Sequence, residues 1–311
     1  MKKIFFYVAL ISLFLGACSD ESEELNINKK GVELTIQASI GNPSASRTSY
    51  VREASGMTVD WEATEDLLVV SFDESGITAV DHFTSTGEAG REKAAFSGEW
   101  NGKAGDKVIC LYPYNSSMFS ATVGNTSIAF TYAEHSPFKN IATLKNWDVM
   151  IGDVTMNGTD ASVKLSRKTA VLDFAFSGGA YLYDDDYTYQ IQKMGVSAYS
   201  GSNPVLFVNA GSIATTLSTY TGEIVASSYQ PNNYRPNLDT QIDRSGIYHY
   251  YFPVVANGTL NTGDQIIFNY YVNERFPPAS SEKHNSDITK TLKSSFTITP
   301  GKIYKVGEVG L

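Results

Sequence analysis

Cysteine is almost absent from this chain: Cys18 and Cys110 are the only two. That excludes a disulfide framework and a cysteine-built zinc site. Histidine is nearly as scarce, and His82, His135, His249 and His284 lie at no spacing that pairs two metal ligands on one helix face. The chain has no nucleophile elbow, phosphate-binding loop or dinucleotide fingerprint, so no motif points to hydrolysis, phosphoryl transfer or hydride transfer. A basic stripe is missing as well. The 24 Lys and Arg stand against 33 Asp and Glu, for a net charge of −9, which argues against a nucleic-acid partner. Helical periodicity never lasts beyond two turns, apart from a short piece at Ile141–Trp147. The expectation is a protein that is not an enzyme and carries no cofactor and no metal.

What is present starts at the N-terminus. Lys2 and Lys3 precede an almost wholly apolar run, Ile4–Leu15, which has the length of a signal segment and is too short for a permanent span. It ends Leu15-Gly16-Ala17-Cys18, the pattern of a bacterial lipobox, in which small residues precede a cysteine that is lipidated and becomes the first residue. Residues 1–17 are therefore expected to be a lipoprotein signal peptide and Cys18 the lipidation site. Acylation adds about 0.8 kcal/mol per buried CH₂, so a multiply acylated Cys18 anchors firmly. Cys110 is then left without an intramolecular partner, and within the apolar run Val108–Tyr112 it reads as a small buried hydrophobe. Residues 18–30 form an acidic, solvated tether that opens Ser19-Asp20-Glu21-Ser22-Glu23-Glu24.

Behind the tether, Val32, Leu34, Ile36, Ala38 and Ile40 alternate with Glu33, Thr35, Gln37 and Ser39, the period of a strand with one buried face. Gly41-Asn42-Pro43 end it in a turn, and Arg47-Thr48 follow in a segment that a trypsin-like protease could reach. Short β-type runs then recur between Gly, Asn and Pro turns, at 57–61, 67–72, 108–112, 127–132, 148–152, 162–165, 170–176, 187–199, 205–209, 247–255, 265–272, 291–299 and 303–309. Their number and spacing predict an all-β fold of two tandem β-sandwich domains, residues 31–160 and 161–311, joined near Asn157-Gly158-Thr159-Asp160. In the last runs, Leu292, Phe296 and Ile298 alternate with polar neighbours, Pro300-Gly301 turn the chain, and Ile303, Tyr304 and Val306 begin the final strand. This pattern fits a closing hairpin and a strand pair lent to another subunit equally well.

Two patches invite binding readings. Asp184-Asp185-Asp186, between Tyr183 and Tyr187, lack the spacing and glycine of a calcium loop and read as a solvated hairpin tip. Tyr248, Tyr250 and Phe252 share one strand face, His249 and Tyr251 the other, and Tyr270-Tyr271 lie nearby in sequence. If exposed, such rings could stack on sugars; if buried, they are core and cross-strand packing.

Several segments in order carry a family resemblance: the lipobox, the first strand with Arg47-Thr48 behind it, VDWEATEDLLVVSF at 59–72, CLYPYN at 110–115, WDVMIGD at 147–153, VKLSRKTAVLDFAF at 163–176 and FTITPGKIYKVGEV at 296–309. In this order and spacing the chain resembles the fimbrillin-like lipoproteins of Bacteroidetes-type bacteria, the subunits of type V pili, from Cys18 to Leu311. It departs from them at Leu165-Ser166-Arg167-Lys168, where many relatives carry an aromatic-x-His sequence.

The resemblance implies transthyretin-like sandwiches and a route of assembly. The chain would travel to the outer membrane as a lipoprotein held through Cys18. An Arg-specific protease would cut between Arg47 and Thr48 (Arg52 is a second candidate) and release the strand of Val32, Leu34, Ile36, Ala38 and Ile40. Other pilus subunits would then be joined by strand exchange, with Leu292, Phe296, Ile298, Ile303, Tyr304 and Val306 on the candidate donor strands. The end product is a fimbrium at the cell surface serving adhesion to a host or bacterial ligand. The alternative is a surface lipoprotein that binds glycans through exposed tyrosines and never polymerises.

Overall fold

The computed structural model of the chain describes residues 31–40, 51–53, 56–58, 61–85, 93–114, 116–132, 141–158, 160–177, 188–229, 240–242, 247–276 and 280–310. Cys18, Arg47, Thr48, His135 and the Asp184-Asp185-Asp186 run lie outside them. The strands of the first half are β1 (Val32–Ile40), β2 (Val51–Glu53), β3 (Gly56–Thr58), β4 (Asp66–Asp73), β5 (Gly76–Ser85), β6 (Lys93–Trp100), β7 (Lys107–Tyr112), β8 (Phe119–Ser120), β9 (Ser127–Thr131), β10 (Met150–Asn157) and β11 (Asp160–Arg167). Those of the second half are β12 (Thr169–Ser177), β13 (Thr188–Ser200), β14 (Asn203–Ala214), β15 (Val225–Tyr229), β16 (Thr240–Ile242), β17 (Ile247–Asn257), β18 (Thr259–Leu260), β19 (Gln265–Phe276), β20 (Ser280–Thr291), β21 (Phe296–Thr297) and β22 (Ile303–Gly310). A single turn-rich helix, of the 3-10 type, covers Ile141–Trp147 among the described residues, at the one place where the sequence shows a helical piece.

Seven strands close into a barrel in the order β1-β11-β10-β7-β4-β5-β6. Alternation decides which side chains enter it. Leu34, Ile36 and Ala38 of β1, Leu67 and Val69 of β4, and Cys110 of β7 meet in one buried cluster. Trp61 sits among them, edge-on to Phe96 at 5.2 Å and to Tyr112 at 5.5 Å. The outward faces of β4 and β7 are apolar as well. Leu68, Val70, Phe72, Ile109 and Leu111 belong to a second cluster that includes Phe130 of β9 and Val208 and Ile213 of β14. Both faces of these two strands are covered, which is why they read as continuous apolar runs rather than alternating ones.

The larger sheet has the order β20-β19-β13-β14-β17-β12-β22, with β8, β9, β15 and β16 attached at its side. Phe174 of β12 and Phe268 of β19 are separated in this order by three strands, yet their ring centroids lie 4.8 Å apart. The sheet therefore folds over on itself and encloses its own core, with Leu172, Phe174, Phe252, Val196, Phe207 and Phe268 in one cluster. The bend passes through β14. This strand pairs with β13 at Asn203–Val205, with β17 at Leu206 and Phe207, and with β15 and β9 beyond. Leu206 adopts φ 69, a conformation rare for a bulky residue, and its side chain is buried, so core packing holds it there.

The chain passes from barrel to folded sheet at Lys168, between β11 and β12. Arg167 donates from Nε to Asp148 Oδ2 at 2.6 Å, and neither side chain is more than 2% exposed. Around this ion pair Lys168 N donates to Val149 O at 2.7 Å, Val149 N to Thr169 Oγ1 at 2.8 Å, and Tyr132 Oη to Trp147 O at 2.8 Å.

Several expectations change. The strand expected at 162–165 runs over Asp160–Arg167 and pairs with β1 and β10 in the barrel, so the chain crosses to the larger sheet at Lys168. The first half is a closed barrel rather than an open sandwich, because β1 bridges the two strands that would otherwise be edges. The single strand over 291–299 is broken: β20 ends at Thr291 and only Phe296–Thr297 pair again, with β18. In its place the polar segment Ser280–Thr291 forms a twelve-residue strand along β19.

Removing the guanidinium from the crossing leaves a buried carboxylate without its cation, so Arg167→Ala should cost about 3–5 kcal/mol. The double variant Arg167→Met/Asp148→Leu should cost clearly less, and urea unfolding midpoints compare the two.

Candidate functional site

The site is the slot in the barrel wall that β1 fills. On one side β1 runs antiparallel to β6, from Val32 opposite Trp100 to Ser39 opposite Lys93. On the other it runs parallel to β11, from Thr35 opposite Asp160 to Ile40 opposite Leu165. Main-chain pairing on both edges thus depends on this one strand. Ile36 is fully buried between Phe96 and Ala161, and Ala38 between Ala94 and Val163. Leu34 lies opposite Gly98, where a Cβ would meet His82 O at 2.7 Å and the Phe83 ring at 2.9 Å, so glycine is what lets β6 lie this close to β5 beside the slot. Polar contacts complete the seat: the Thr35 and Ser97 hydroxyls hydrogen-bond at 3.1 Å, and Ser39 Oγ donates to Val163 O at 3.4 Å.

The buried set is smaller than the sequence pattern implies. Leu34, Ile36 and Ala38 are buried, whereas Val32 and Ile40, at the two ends, are half-buried. Leu34 and Ile36 together contribute about 3–6 kcal/mol of hydrophobic burial as an upper estimate. A whole domain has a net stability of about 5–15 kcal/mol, so the slot and its occupant matter at the scale of the fold. The wall strand β6 was missed in the sequence. Its signal is the alternation of Ala94, Phe96 and Trp100 in KAAFSGEW, obscured by Gly98 and short polar residues.

Of the candidate donor residues, Leu292, Phe296, Ile298 and Tyr304 pack with the core of the folded sheet and not with the cluster that lines the slot. β22 pairs in parallel with β12 and forms one edge of that sheet. Ile298 is buried, and Leu292, Phe296 and Tyr304 pack half-buried against the same core. Ile303 is half-buried at the start of β22, and Val306 is a position on that strand.

Among the described side chains no aromatic platform forms, and those of Tyr248 and Tyr271 lie outside the description. Tyr250, Tyr251 and Phe252 are buried, and Tyr250 and Phe252 belong to the core, with Tyr250 edge-on to Phe176 at 5.7 Å. Tyr270 also packs against this core. Their alternation on β17 serves two buried faces, which is the packing reading of the same pattern. His249 Nδ1 lies 2.7 Å from Asp173 Oδ1, and His82 stacks on Tyr114 at 4.2 Å. Among the described residues, no group of three or more His, Cys, Asp or Glu is placed to hold a metal ion.

Inside the barrel, burial pushes the Cys110 thiol up. Burial, followed by the charge of the Glu65 carboxylate, holds the Tyr112 phenol well above its usual range.

No family model matches the chain, and no curated protein matches it. Similar solved structures are adhesion and fimbrial proteins of Bacteroides and related bacteria. One is named "putative cell adhesion protein" from Bacteroides ovatus, 13% identical, covering 86% of this chain and 90% of that one at a TM-score of 0.40. A second is a fimbrial protein from Bacteroides vulgatus, 13% identical, covering 73% and 84% at 0.37. A third is the fimbrial anchor protein Mfa2 from Porphyromonas gingivalis, 9% identical, covering 77% and 78% at 0.36. The likeness is distant, and the functional reading rests on β1 and its slot.

Ile36→Ala should destabilise the barrel by about 2–5 kcal/mol, while Glu33→Ala on the exposed face stays within about 0.5 kcal/mol. Amide exchange should show the loss first along β6 and β11. A second expectation concerns pH. Unfolded, the thiol ionises near pH 8.5 and the phenol near pH 10; folded, both keep their protons, so the native state binds more protons and stability falls as pH rises above about 8.5. Urea midpoints between about pH 7 and pH 10.5 test this, and Cys110→Ala should delay the fall toward the phenol's range.

Proposed function

We propose that this chain is a subunit or accessory component of a cell-surface pilus, assembled by removal of its first strand and refilling of the slot by a strand from another subunit. The observation that carries the proposal is the position of β1. It alone bridges β6 and β11, and it connects onward to β2 only through residues 41–50, which carry Arg47-Thr48. A cut between Arg47 and Thr48 frees β1 from the barrel except for hydrogen bonds and its buried side chains. Its departure leaves two unpaired strand edges and an apolar groove lined by Phe96, Val163 and Leu165. An extended donor segment satisfies both edges through its main chain, and alternate pockets read its side chains.

In this reading residues 1–17 are the signal peptide and Cys18 is lipidated, which holds the precursor at the outer membrane until an Arg-specific protease acts. The finished fibre stands at the cell surface and serves adhesion to host or bacterial surfaces. Each half of the chain has its own core, in keeping with tandem transthyretin-like domains in which a terminal strand is exchangeable. The donor would be the C-terminal pair that carries Leu292, Phe296, Ile298, Ile303, Tyr304 and Val306. The edge position of β22 supports this choice, because an edge strand leaves its sheet with only one ladder to break. Burial of Tyr250 and Tyr251 counts against primary glycan binding through these rings.

Limited digestion with an Arg-specific protease, read by intact mass and native size, tests the mechanism. The expected result is one cut at Arg47-Thr48, loss of the Val32–Ile40 segment and growth of oligomers, all abolished by Arg47→Ala. A cut chain that keeps β1 bound and stays monomeric would sink the proposal.

A further inference from the structure

The folded sheet encloses a cavity of about 250 Å³ that opens to solvent. Its floor is Leu172, Phe207 and Phe268, all buried in the sheet's core. Its wall is built by Leu292, Phe296 and Tyr304. That wall is tied down along its length. Leu292 N donates to Asp264 O at 2.9 Å, and Leu292 O accepts from Gly263 N at 2.9 Å. Phe296 and Thr297 pair with Leu260 and Thr259 of β18. The Phe296 ring meets Tyr304 edge-on at 5.5 Å, and the Tyr304 hydroxyl accepts from Thr299 N at 2.7 Å. The cavity is preformed, as small-molecule sites are.

Among the described residues two charged ones line it, Lys290 and Lys305, and both are positive and exposed. Lys290 follows Ile288 by two residues on β20, and Ile288 packs on the core, so alternation sets Lys290 on the cavity face. Lys305 follows Tyr304 on β22 and lies opposite Asp173, so the same alternation turns its side chain to the other face of the sheet. Among the described residues the lysines held in ion pairs are Lys107, Lys145 and Lys168, not these two. An apolar, preformed cavity with the unpaired Lys290 at its mouth, on a chain of net charge −9, matches one chemistry: an apolar body with an anionic end.

We infer that this cavity binds a small amphiphilic anion, an acyl chain ending in a carboxylate. The chain lies over Leu172, Phe207 and Phe268, and the carboxylate meets Lys290. Ligand sites for drug-sized molecules run from roughly 300 to 1,000 Å³, so this one takes a short or medium chain and not a whole phospholipid. The inference concerns the chain before any strand exchange, since departure of the C-terminal pair would carry away Leu292, Phe296 and Tyr304.

Calorimetric titration of the purified chain with octanoate, octanol and butanoate tests it. Octanoate should bind saturably, one per chain, and octanol and butanoate at least about ten-fold more weakly. The variant Lys290→Gln changes only an exposed side chain, so it should fold normally and bind octanoate about three- to ten-fold more weakly. Leu292→Trp fills the cavity and should abolish binding. Non-saturable octanoate binding, equal binding of octanol, or parental affinity in the Lys290→Gln variant would each overturn the inference. So would parental affinity in a folded Leu292→Trp variant.

Discussion

A sheet is stable in water only when the main chain along its outer strands is paired or protected, and closing into a barrel is the one arrangement that removes the outer strands altogether. Here that condition is met by β1 alone, antiparallel to β6 on one side and parallel to β11 on the other. Everything else in the barrel can be read as support for its seat. Gly98, opposite Leu34, lets β6 lie close to His82 and Phe83 of β5, and Phe96 and Ala161 flank Ile36. The parallel pairing brings together residues far apart in the chain, Ser39 and Val163 among them. Such a ladder has no short connection to hold it and depends on burial and on the two neighbouring edges.

The two bodies are joined by more than a linker. β11 and β12 are consecutive strands with only Lys168 between them, one in the barrel and one in the folded sheet. The Arg167–Asp148 pair is buried at this crossing, where its net contribution to stability is small but its geometry is demanding. It fixes where the chain changes sheets, with Thr169 and Val149 hydrogen-bonded beside it. The doubly apolar strands β4 and β7 then bury their outward faces against β9 and β14, so the barrel and the folded sheet share a hydrophobic cluster. Lys107 and Tyr220 add a polar tie at its margin, both bonded to Asp153.

Much of this was legible locally. The alternation of β1, the apolar runs of β4 and β7, the helical piece at Ile141–Trp147 and the buried Cys110 all follow from side-chain period and composition. β5 was not legible, because it turns Asp81 and Ser85 inward, where the Asn101 main-chain and side-chain amides satisfy Asp81 and Glu65 N donates to Ser85 Oγ. A buried acid looks like a surface residue until its partner from another loop is known. β20 is written almost wholly in polar residues and has strand structure because β19 offers it a twelve-residue edge. The reverse happened at 291–299, where good alternation is interrupted because Leu292 bonds to the turn at Gly263 and Asp264. The tyrosines of β17 show the same ambiguity, since a strand covered on both faces and one exposing an aromatic platform have the same sequence pattern.

By itself, the sequence determined that the chain is all-β, which faces of β1, β4 and β7 are apolar, and that a basic residue follows the first strand in a turn-rich segment. These are properties of period, composition and adjacency, set by neighbours a few residues away. Only the tertiary structure decided that β1 closes a barrel, that β11 belongs with it, that the tyrosines are core, and that an apolar cavity lies beneath Leu292 and Phe296. Each of these depends on which strand edge meets which. Strand pairing is a contest among main-chain ladders of nearly equal energy, decided by long-range packing that local sequence does not encode.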